Sequence, residues 1–323
     1  MADNAADIII IGAGMAGLAA ARVLREGGRE AVILDKGRGV GGRMATRRSG
    51  GAAFDHGAQF VTTREVAFGA WLEEARRHSA AAVWCHGFGD AQDGHPRWRG
   101  VPGMTGLARY LAAEADIRLT VPVTALRKQG GGFLVETEQS GSWTANAVVL
   151  TPPVPQSLAL LERGACGLPA AIRGRLESVR YQRCLAVMAE LESPSKIPPP
   201  GALSFETGPV AWMADNQQKG VSPVPAVTLH ASAEFSLENW ERDRQQVAGE
   251  LLAAVTEQLG ARVGAVQIHG WRYSRPVEAL PERCLAAVPD LPGLVFAGDA
   301  FGGPRVEGAA LSGMAAARHL LAL

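Results

Sequence analysis

The chain has 323 residues and a mass of 33.9 kDa, more than one ordinary hydrophobic core accommodates, so about two domains are expected. Hydrophobic residues at 47% and charged residues at 20% describe a globular protein and exclude a disordered one. Thirty-two basic residues balance thirty-two acidic ones, which argues against the broad basic face that nucleic acid requires.

Asp7-Ile8-Ile9-Ile10-Ile11 predicts a strand buried on both faces. The glycine-interrupted Gly12–Gly17 follows, then a helix over Leu18–Arg25 that Gly27-Gly28 stops. Ala31–Leu34 is a second buried strand, ending on Asp35. The apolar stretch Ile8–Leu24 is preceded by Asp3 and Asp7 and broken by glycines, so it reads neither as a signal peptide nor as a membrane span. A cytoplasmic protein without membrane attachment is expected.

A Gly/Arg loop covers Gly37–Arg48, a helix Arg64–His78, a strand Ala82–Phe88 and a short helix Gly106–Ala115. Val121–Lys128, a triple-glycine turn and Phe133–Glu138 read as a meander, before a buried strand at Ala147–Leu150. The middle of the chain is richer in proline. It holds a strand at Tyr181–Leu191, helical spacing over Leu237–Leu259 and a strand at Ala265–Tyr273. Gly293–Ala297 is again a buried strand, and a helix runs from about Glu307. Nucleotide-type signals thus lie at both ends, which argues for one nucleotide domain interrupted by an insertion.

Several chemistries have no visible basis. Cys85, Cys166, Cys184 and Cys284 are far apart, with no CxxC, and the seven histidines form no HExxH. No metal site is expected, and no GxSxG supplies a hydrolase nucleophile. All but four of the basic residues are arginines, through codon usage or as planar forks that hold anions.

The glycine motif is informative because of its setting between two strands and at a helix start. Gly12 permits the tight turn, Gly14 the approach of a diphosphate, and Gly17 close packing of helix on strand. The helix N-terminus supplies N–H groups and partial positive charge, and Asp35 can accept from both ribose hydroxyls. Three further motifs follow: Gly39-Val40-Gly41-Gly42-Arg43-Met44, Phe54-Asp55-His56-Gly57-Ala58-Gln59, and Ala297-Gly298-Asp299 with Gly303-Pro304-Arg305-Val306-Glu307-Gly308-Ala309.

Together these resemble the FAD-binding family that contains the flavin amine oxidases. Asp55–Phe60, Trp271–Pro276 and Gly303–Ala309 look more narrowly like the bacterial renalases. The resemblance implies an α/β fold: a Rossmann-like FAD-binding domain of the glutathione-reductase/amine-oxidase type, with an inserted α+β substrate domain on a mixed sheet. It divides the chain into a discontinuous FAD-binding domain (1–78, 103–158 and 284–323) and a substrate domain (79–102 and 159–283).

The implied cofactor is FAD, held non-covalently, since Cys284 does not stand in an attachment motif. Its implied contacts are Gly12, Ala13, Gly14, Met15, Ala16 and Gly17 at the diphosphate, and Asp35 and Lys36 at the ribose. Gly42, Arg43 and Met44 would fold over the diphosphate, with the Arg43 guanidinium neutralising charge. His56, Gly57, Ala58 and Gln59 follow, with Val123 at the adenine, Thr151 in the channel, and Gly298 and Asp299 at the ribityl chain. Arg305, Val306, Glu307 and Ala309 would lie at the helix end that faces the flavin. Val123 and Thr151 also read as an ordinary edge strand and loop.

The implied reaction is oxidation of 2- or 6-dihydro isomers of NAD(P)H to NAD(P)+, with O2 as acceptor and H2O2 as product. His269, Trp271 and Tyr273 alternate on one strand face, as an aromatic stack for the substrate ring or as domain core. Gln59 is a candidate substrate contact. No residue is certain to be catalytic, because hydride loss makes the nicotinamide aromatic without a base, and His56 is a weak candidate. Flavin amine oxidases place a lysine near flavin N5; of the four lysines only Lys219 is left for that role, in a polar loop without the look of a pocket. An amine or related carbon–nitrogen oxidase and a non-catalytic FAD sensor remain as alternatives.

Overall fold

The computed structural model describes residues 4–89 and 93–323, so three residues of the expected 79–102 segment lie outside it. The first elements are β1 (Asn4–Ile11), α1 (Met15–Glu26), β2 (Ala31–Leu34), β3 (Thr46–Ser49), β4 (Ala52–Asp55), α2 (Val66–Arg77), β5 (Ala81–Cys85) and β6 (Arg97–Gly100). Then come α3 (Met104–Ala112), β7 (Asp116–Arg118), β8 (Val123–Gln129), β9 (Gly132–Thr137), β10 (Ser142–Leu150), α4 (Val154–Arg163) and α5 (Ala170–Glu177). The middle holds β11 (Tyr181–Leu191), β12 (Ala202–Ser204), β13 (Val210–Asp215) and β14 (Ala226–Ala231). The last elements are α6 (Ala233–Glu238), α7 (Arg244–Ala253), α8 (Thr256–Leu259), β15 (Val263–Pro276), β16 (Leu285–Ala287), β17 (Leu291–Phe296) and α9 (Val306–Leu321).

The chain divides into two compact units. Unit 1 is Met1–Gly42, Ala108–Arg180 and Arg275–Leu323; unit 2 is Arg43–Leu107 and Tyr181–Ser274. Residues 43–78 and 103–107, expected with the nucleotide part, fall in unit 2, while 159–180 and 275–283 fall in unit 1. Packing explains both shifts. Phe54 and Ala52 of β4 cluster with Met188 of β11 and Ala226 of β14, and Arg163 of α4 donates through Nε to Thr124 O of β8.

Unit 1 is built on a mixed sheet of order β16-β17-β10-β1-β2-β7, with β9 on β10 and β8 on β9. β17, β10, β1, β2 and β7 run parallel, so their carboxyl ends share one edge. The isoleucine run is buried because both faces of β1 are covered. Two helices of small residues, α1 and α9, pack closely. A Cβ on Gly313 would overlap the carbonyl oxygen of Ala16, and one on Gly17 would overlap that of Gly12.

Unit 2 has a five-stranded sheet of order β12-β13-β14-β11-β15. Its three pairings among β12, β13, β14 and β11 are antiparallel. Alternation sorts the strands into two faces. Leu185, Val187, Val227, Leu229 and Met213 join Val247 and Leu251 of α7 in a core. The opposite parity carries Trp212 and His230, which are register partners, and Met188, which the β3–β4 hairpin covers.

Two local expectations change. The expected loop 37–48 contains a 3-10 turn, Gly42–Met44, and β3, because Gly50 and Gly51, both at positive φ, close a hairpin in register Thr46↔Asp55. The helical spacing over 237–259 is three helices, since the Asp243 carboxylate accepts from Gln245 and Gln246 N–H and restarts the chain as α7. Among the described residues, no helix is long and apolar enough to cross a membrane.

The α1–α9 seam yields a stability test. Gly313→Ala forces two backbones apart, at a cost of about 1–3 kcal/mol. Thermal unfolding followed by circular dichroism should show a clearly lowered midpoint; an unchanged one would mean that the seam relaxes freely.

Candidate functional site

In unit 1 the expected cofactor residues converge on the carboxyl edge of the parallel strands, where open α/β sheets bind ligands. Gly12 turns the chain at φ +107°, and a Cβ there would come within 2.5 Å of Thr151 Oγ1. That hydroxyl donates to Ile11 O at 2.8 Å, tying the β10 end to the β1 end. Gly41 N donates to Ala13 O at 2.8 Å, so the loop before Gly42 folds onto the glycine turn. Asp35 receives Ala13 N at Oδ2 and Gly37 N at Oδ1, both at 2.6 Å. An ionised carboxylate has about four acceptor positions, so capacity for hydroxyl donors remains. Lys36 beside it is exposed. Val121 N donates to Asp35 O, which brings the start of β8, with Val123, to the same edge.

Gly298 N donates to Ser312 Oγ at 2.8 Å, docking α9 beside the β17 end, where Asp299 is buried. Arg305 stands exposed at the α9 N-cap without a side-chain cap, followed by Val306, Glu307 and Ala309 in the first turn. The start of α1 meets the test for a diphosphate. Gly14 caps it without a side-chain bond, the first turn carries no acid, and a Cβ on Gly14 would meet nothing within 4 Å. Met15, Ala16 and Gly17 form that first turn and are themselves buried. These residues fit FAD.

Unit 2 gathers the other expected residues, starting from Asp55, which is wholly buried. Its carboxylate accepts Lys219 Nζ at 2.7 Å, Thr46 Oγ1 at 2.5 Å and Met104 N at 2.9 Å. Lys219 is thus a correction to the sequence reading. It does sit in the polar loop between β13 and β14, but its side chain has no exposure, and Nζ lies 5.1 Å from the Trp84 ring centroid. Burial lowers its pKa, opposed by Asp55. Nothing local could reveal this, because the partner is 164 residues away.

His56 stacks on Trp271 (centroids 5.2 Å, planes 27° apart) and meets His269 edge-on at 5.2 Å. Trp271 Nε1 donates to His56 O at 2.8 Å. Gly57 admits no Cβ, which would overlap Arg43 O, and Ala58 N donates to that same oxygen at 2.8 Å. Met44 is buried. The Arg43 guanidinium, expected at a phosphate, donates through Nη1 to the carbonyls of Tyr273 (3.2 Å) and Ser274 (3.0 Å) and so anchors β15. The expected aromatic trio divides: His269 and Trp271 join His56, whereas Tyr273 packs edge-on to Tyr181 at 5.5 Å.

Two buried polar atoms here have no partner, His56 Nδ1 and Gln59 Oε1. The Gln59 amide cannot be reversed, because Nε2 donates to Asp55 O at 2.5 Å and to Gly57 O at 3.2 Å. An orphaned buried acceptor beside a flat shelf of rings asks for an N–H or O–H donor. His230, which no sequence pattern singled out, lies with its Nε2 3.2 Å from His56 O. Desolvation holds His56 and His230 down at a pKa of about 4, and lowers His269 too, with Arg47 and Arg244 adding to that. All three rings are therefore neutral near pH 7.

The fold and these sites define a dinucleotide-binding α/β protein of the flavin oxidoreductase class. The chain belongs to the flavin-containing amine oxidoreductase family, whose model matches residues 62–321; a model of the NAD(P)-binding Rossmann-like domain matches residues 10–74. FAD is its cofactor. Solved structures with the same fold include putrescine oxidase, as its A394C mutant (16% identity, TM-score 0.73, 99% of each chain). Another is a "putative protoporphyrinogen oxidase" from Exiguobacterium sp. 255-15 (14% identity, TM-score 0.70, 100% of this chain and 99% of that one). A curated relative, "Putative flavin-containing monoamine oxidase AofH" of Mycobacterium tuberculosis, is 44% identical over 55 residues, 17% of this chain and only 12% of its own length.

Two measurements test the sites. Asp35→Ala should weaken FAD binding about ten- to a hundredfold, through lost charge-assisted bonds worth roughly 1.5–3 kcal/mol. Titration of the apoprotein with FAD reads this directly, and unaltered affinity would remove Asp35 from the ribose. The second concerns protons. The unfolded chain protonates its histidines near pH 6.5 but the folded chain protonates His56 and His230 only near 4. Stability is therefore full above 6.5 and lost as pH falls through that window, by roughly 2 kcal/mol per ring at pH 5. Urea unfolding at about pH 7 and pH 5 should show the drop, and His56→Gln should remove part of it.

Proposed function

We propose that the chain oxidises 2- and/or 6-dihydro isomers of NAD(P)H to NAD(P)+, a metabolite-repair reaction, with FAD held non-covalently. The observation that supports this most is the orphaned Gln59 Oε1, with His56 Nδ1, beside the His56–Trp271–His269 shelf. A dihydronicotinamide is a flat ring bearing a primary carboxamide, whose N–H2 suits that acceptor. Bound FAD supplies the two-electron acceptor, with O2 as terminal oxidant and H2O2 as its product.

The histidines suit this chemistry. As hydride leaves, the ring nitrogen's lone pair completes an aromatic pyridinium, so positive charge develops and no proton is removed from the substrate. Neutral imidazoles do not repel that charge, and a histidine with a pKa of about 4 is a poor base, as the reaction allows. Burial pushes the Cys284 thiol up, away from the nucleophilic thiolate that covalent attachment needs. Four free cysteines suit the cytoplasm.

One observation favours a second reading, an amine or related carbon–nitrogen oxidase: Lys219 is buried, in a family whose amine oxidases place a lysine near flavin N5. Stopped-flow bleaching of the oxidised flavin separates the readings. Rapid bleaching is expected with chemically prepared 2- or 6-dihydro-NAD(P), and little with putrescine or aromatic amines. Bleaching by amines alone would establish the second reading, and bleaching by neither a non-catalytic flavoprotein. The rate with saturating dinucleotide should be nearly flat over about pH 6–9, since His56 titrates below that range. A steep rise near pH 6.5 that vanishes in His56→Gln would make His56 a base and defeat direct hydride loss.

A further inference from the structure

On the face of the unit 2 sheet opposite the α7 core, β14 carries Ala226, Thr228 and His230, because alternate residues of a strand share a side. Each meets the β4 segment in turn. Ala226 packs with Ala52 and Phe54. Thr228 Oγ1 accepts from Asn216 Nδ2 at 2.9 Å, and Asn216 Oδ1 accepts the Asp55 N–H at 3.1 Å. His230 comes last, with Nε2 3.2 Å from His56 O. Strand β4 ends at Asp55, so His56 is the first residue beyond the β3–β4 ladder, where side chains take over from strand pairing.

The His56 carbonyl also receives Trp271 Nε1 at 2.8 Å. A carbonyl oxygen has two lone pairs, and here both are used, by donors on β14 and β15, the two neighbours of β11 in the sheet. The proton on His230 follows from its surroundings. His56 O can only accept. Gln59 Nε2, 3.5 Å from the same ring nitrogen, directs its hydrogens at Asp55 O and Gly57 O. His230 Nε2 therefore carries the hydrogen and donates it to His56 O. Three successive carbonyls are thus fixed by side chains: Gln59 holds those of Asp55 and Gly57, and His230 with Trp271 holds the one between. Rotation of the peptide after His56 would swing the His56 ring off Trp271 and pull Gly57 O away from Gln59.

We infer that His230 is a positioning residue for the oxidation: it holds the His56–Gly57 peptide so that the His56 ring and the Gln59 amide keep the geometry that meets the substrate ring. The role rests on the dihydronicotinamide reading of the shelf. Hydride transfer tolerates little misplacement, and an error of about 1 Å costs up to about a hundredfold in rate, so a bond remote from the reacting atoms sets the rate through the groups it holds.

Stopped-flow reduction of the FAD-loaded protein by 2- or 6-dihydro-NAD(P) tests this, with His230→Leu set against His230→Gln. The glutamine amide nitrogen stands as many bonds from Cβ as the histidine Nε2 and keeps the N–H donor that leucine lacks. His230→Leu should lower the limiting reduction rate about ten- to a hundredfold, and His230→Gln should recover most of it. A leucine variant as fast as the parent would overturn the proposal. Equal losses in both variants would overturn it too, since ring shape and not the donor would then be what counts. Circular dichroism and flavin absorbance establish that each variant is folded and loaded. If the leucine variant does not fold, nitrogen NMR of the histidine-labelled, FAD-loaded parent decides: the His230 signal, identified by its loss in His230→Gln, should be that of the Nε2–H tautomer, and an Nδ1–H tautomer would defeat the role. A parent that reacts with neither isomer defeats the functional reading and the positioning role with it, whereas an active parent beside an unimpaired leucine variant defeats the role alone.

Discussion

Unit 2 depends on one buried ion pair. Taking Lys219 and Asp55 out of water costs several kcal/mol per ion, and attraction alone does not reliably offset that. The arrangement holds because the carboxylate is saturated, by Nζ, by the Thr46 hydroxyl and by the Met104 amide. Those donors come from the β13–β14 connection, from β3 and from the start of α3. Asp55 is therefore the point at which three segments remote in sequence are fixed. Its backbone is held as well, since its N–H reaches Asn216 Oδ1 at 3.1 Å and its carbonyl receives Gln59 Nε2. The orientation of Gln59, and with it the orphaned acceptor, follows from that anchor.

Unit 1 solves a different problem, that of bringing backbone close to backbone. Its cofactor edge carries few polar side chains, and much of its geometry comes from missing ones. Gly12, Gly14 and Gly17 shape the turn, and Gly313 lets α9 settle on α1. Such close packing leaves helix N–H groups as the main polar surface, which suits an anionic diphosphate and is indifferent to the substrate. The same fold is shared with proteins as different in name as putrescine oxidase and a putative protoporphyrinogen oxidase, and fold likeness at 14–16% identity does not choose between them.

The electrostatics of the shelf in unit 2 are set by desolvation more than by pairing. Among the groups that act on them, His56, His230 and His269 have one another, the cations Arg47, Arg244 and Lys219, and Asp55, whose charge Lys219 already meets. Burial and arginines push in the same direction, so the rings stay uncharged.

The amino-acid sequence by itself determined the nucleotide half. Four consecutive isoleucines, the spaced glycines, Asp35 and the alanine-rich last helix are local patterns whose meaning depends on near neighbours, so the β1–α1–β2 unit and α9 were legible at once. Strand β11 was legible for the same reason, its bounds being those its composition predicts. The tertiary structure alone decided the rest. Burial of Lys219, recruitment of His230, the turn of Tyr273 toward Tyr181 and the bonding of Arg43 to β15 carbonyls each depend on a partner 92 to 230 residues away. A side chain's charge state and direction are set by what surrounds it in space, and local periodicity carries no record of contacts closed over such distances.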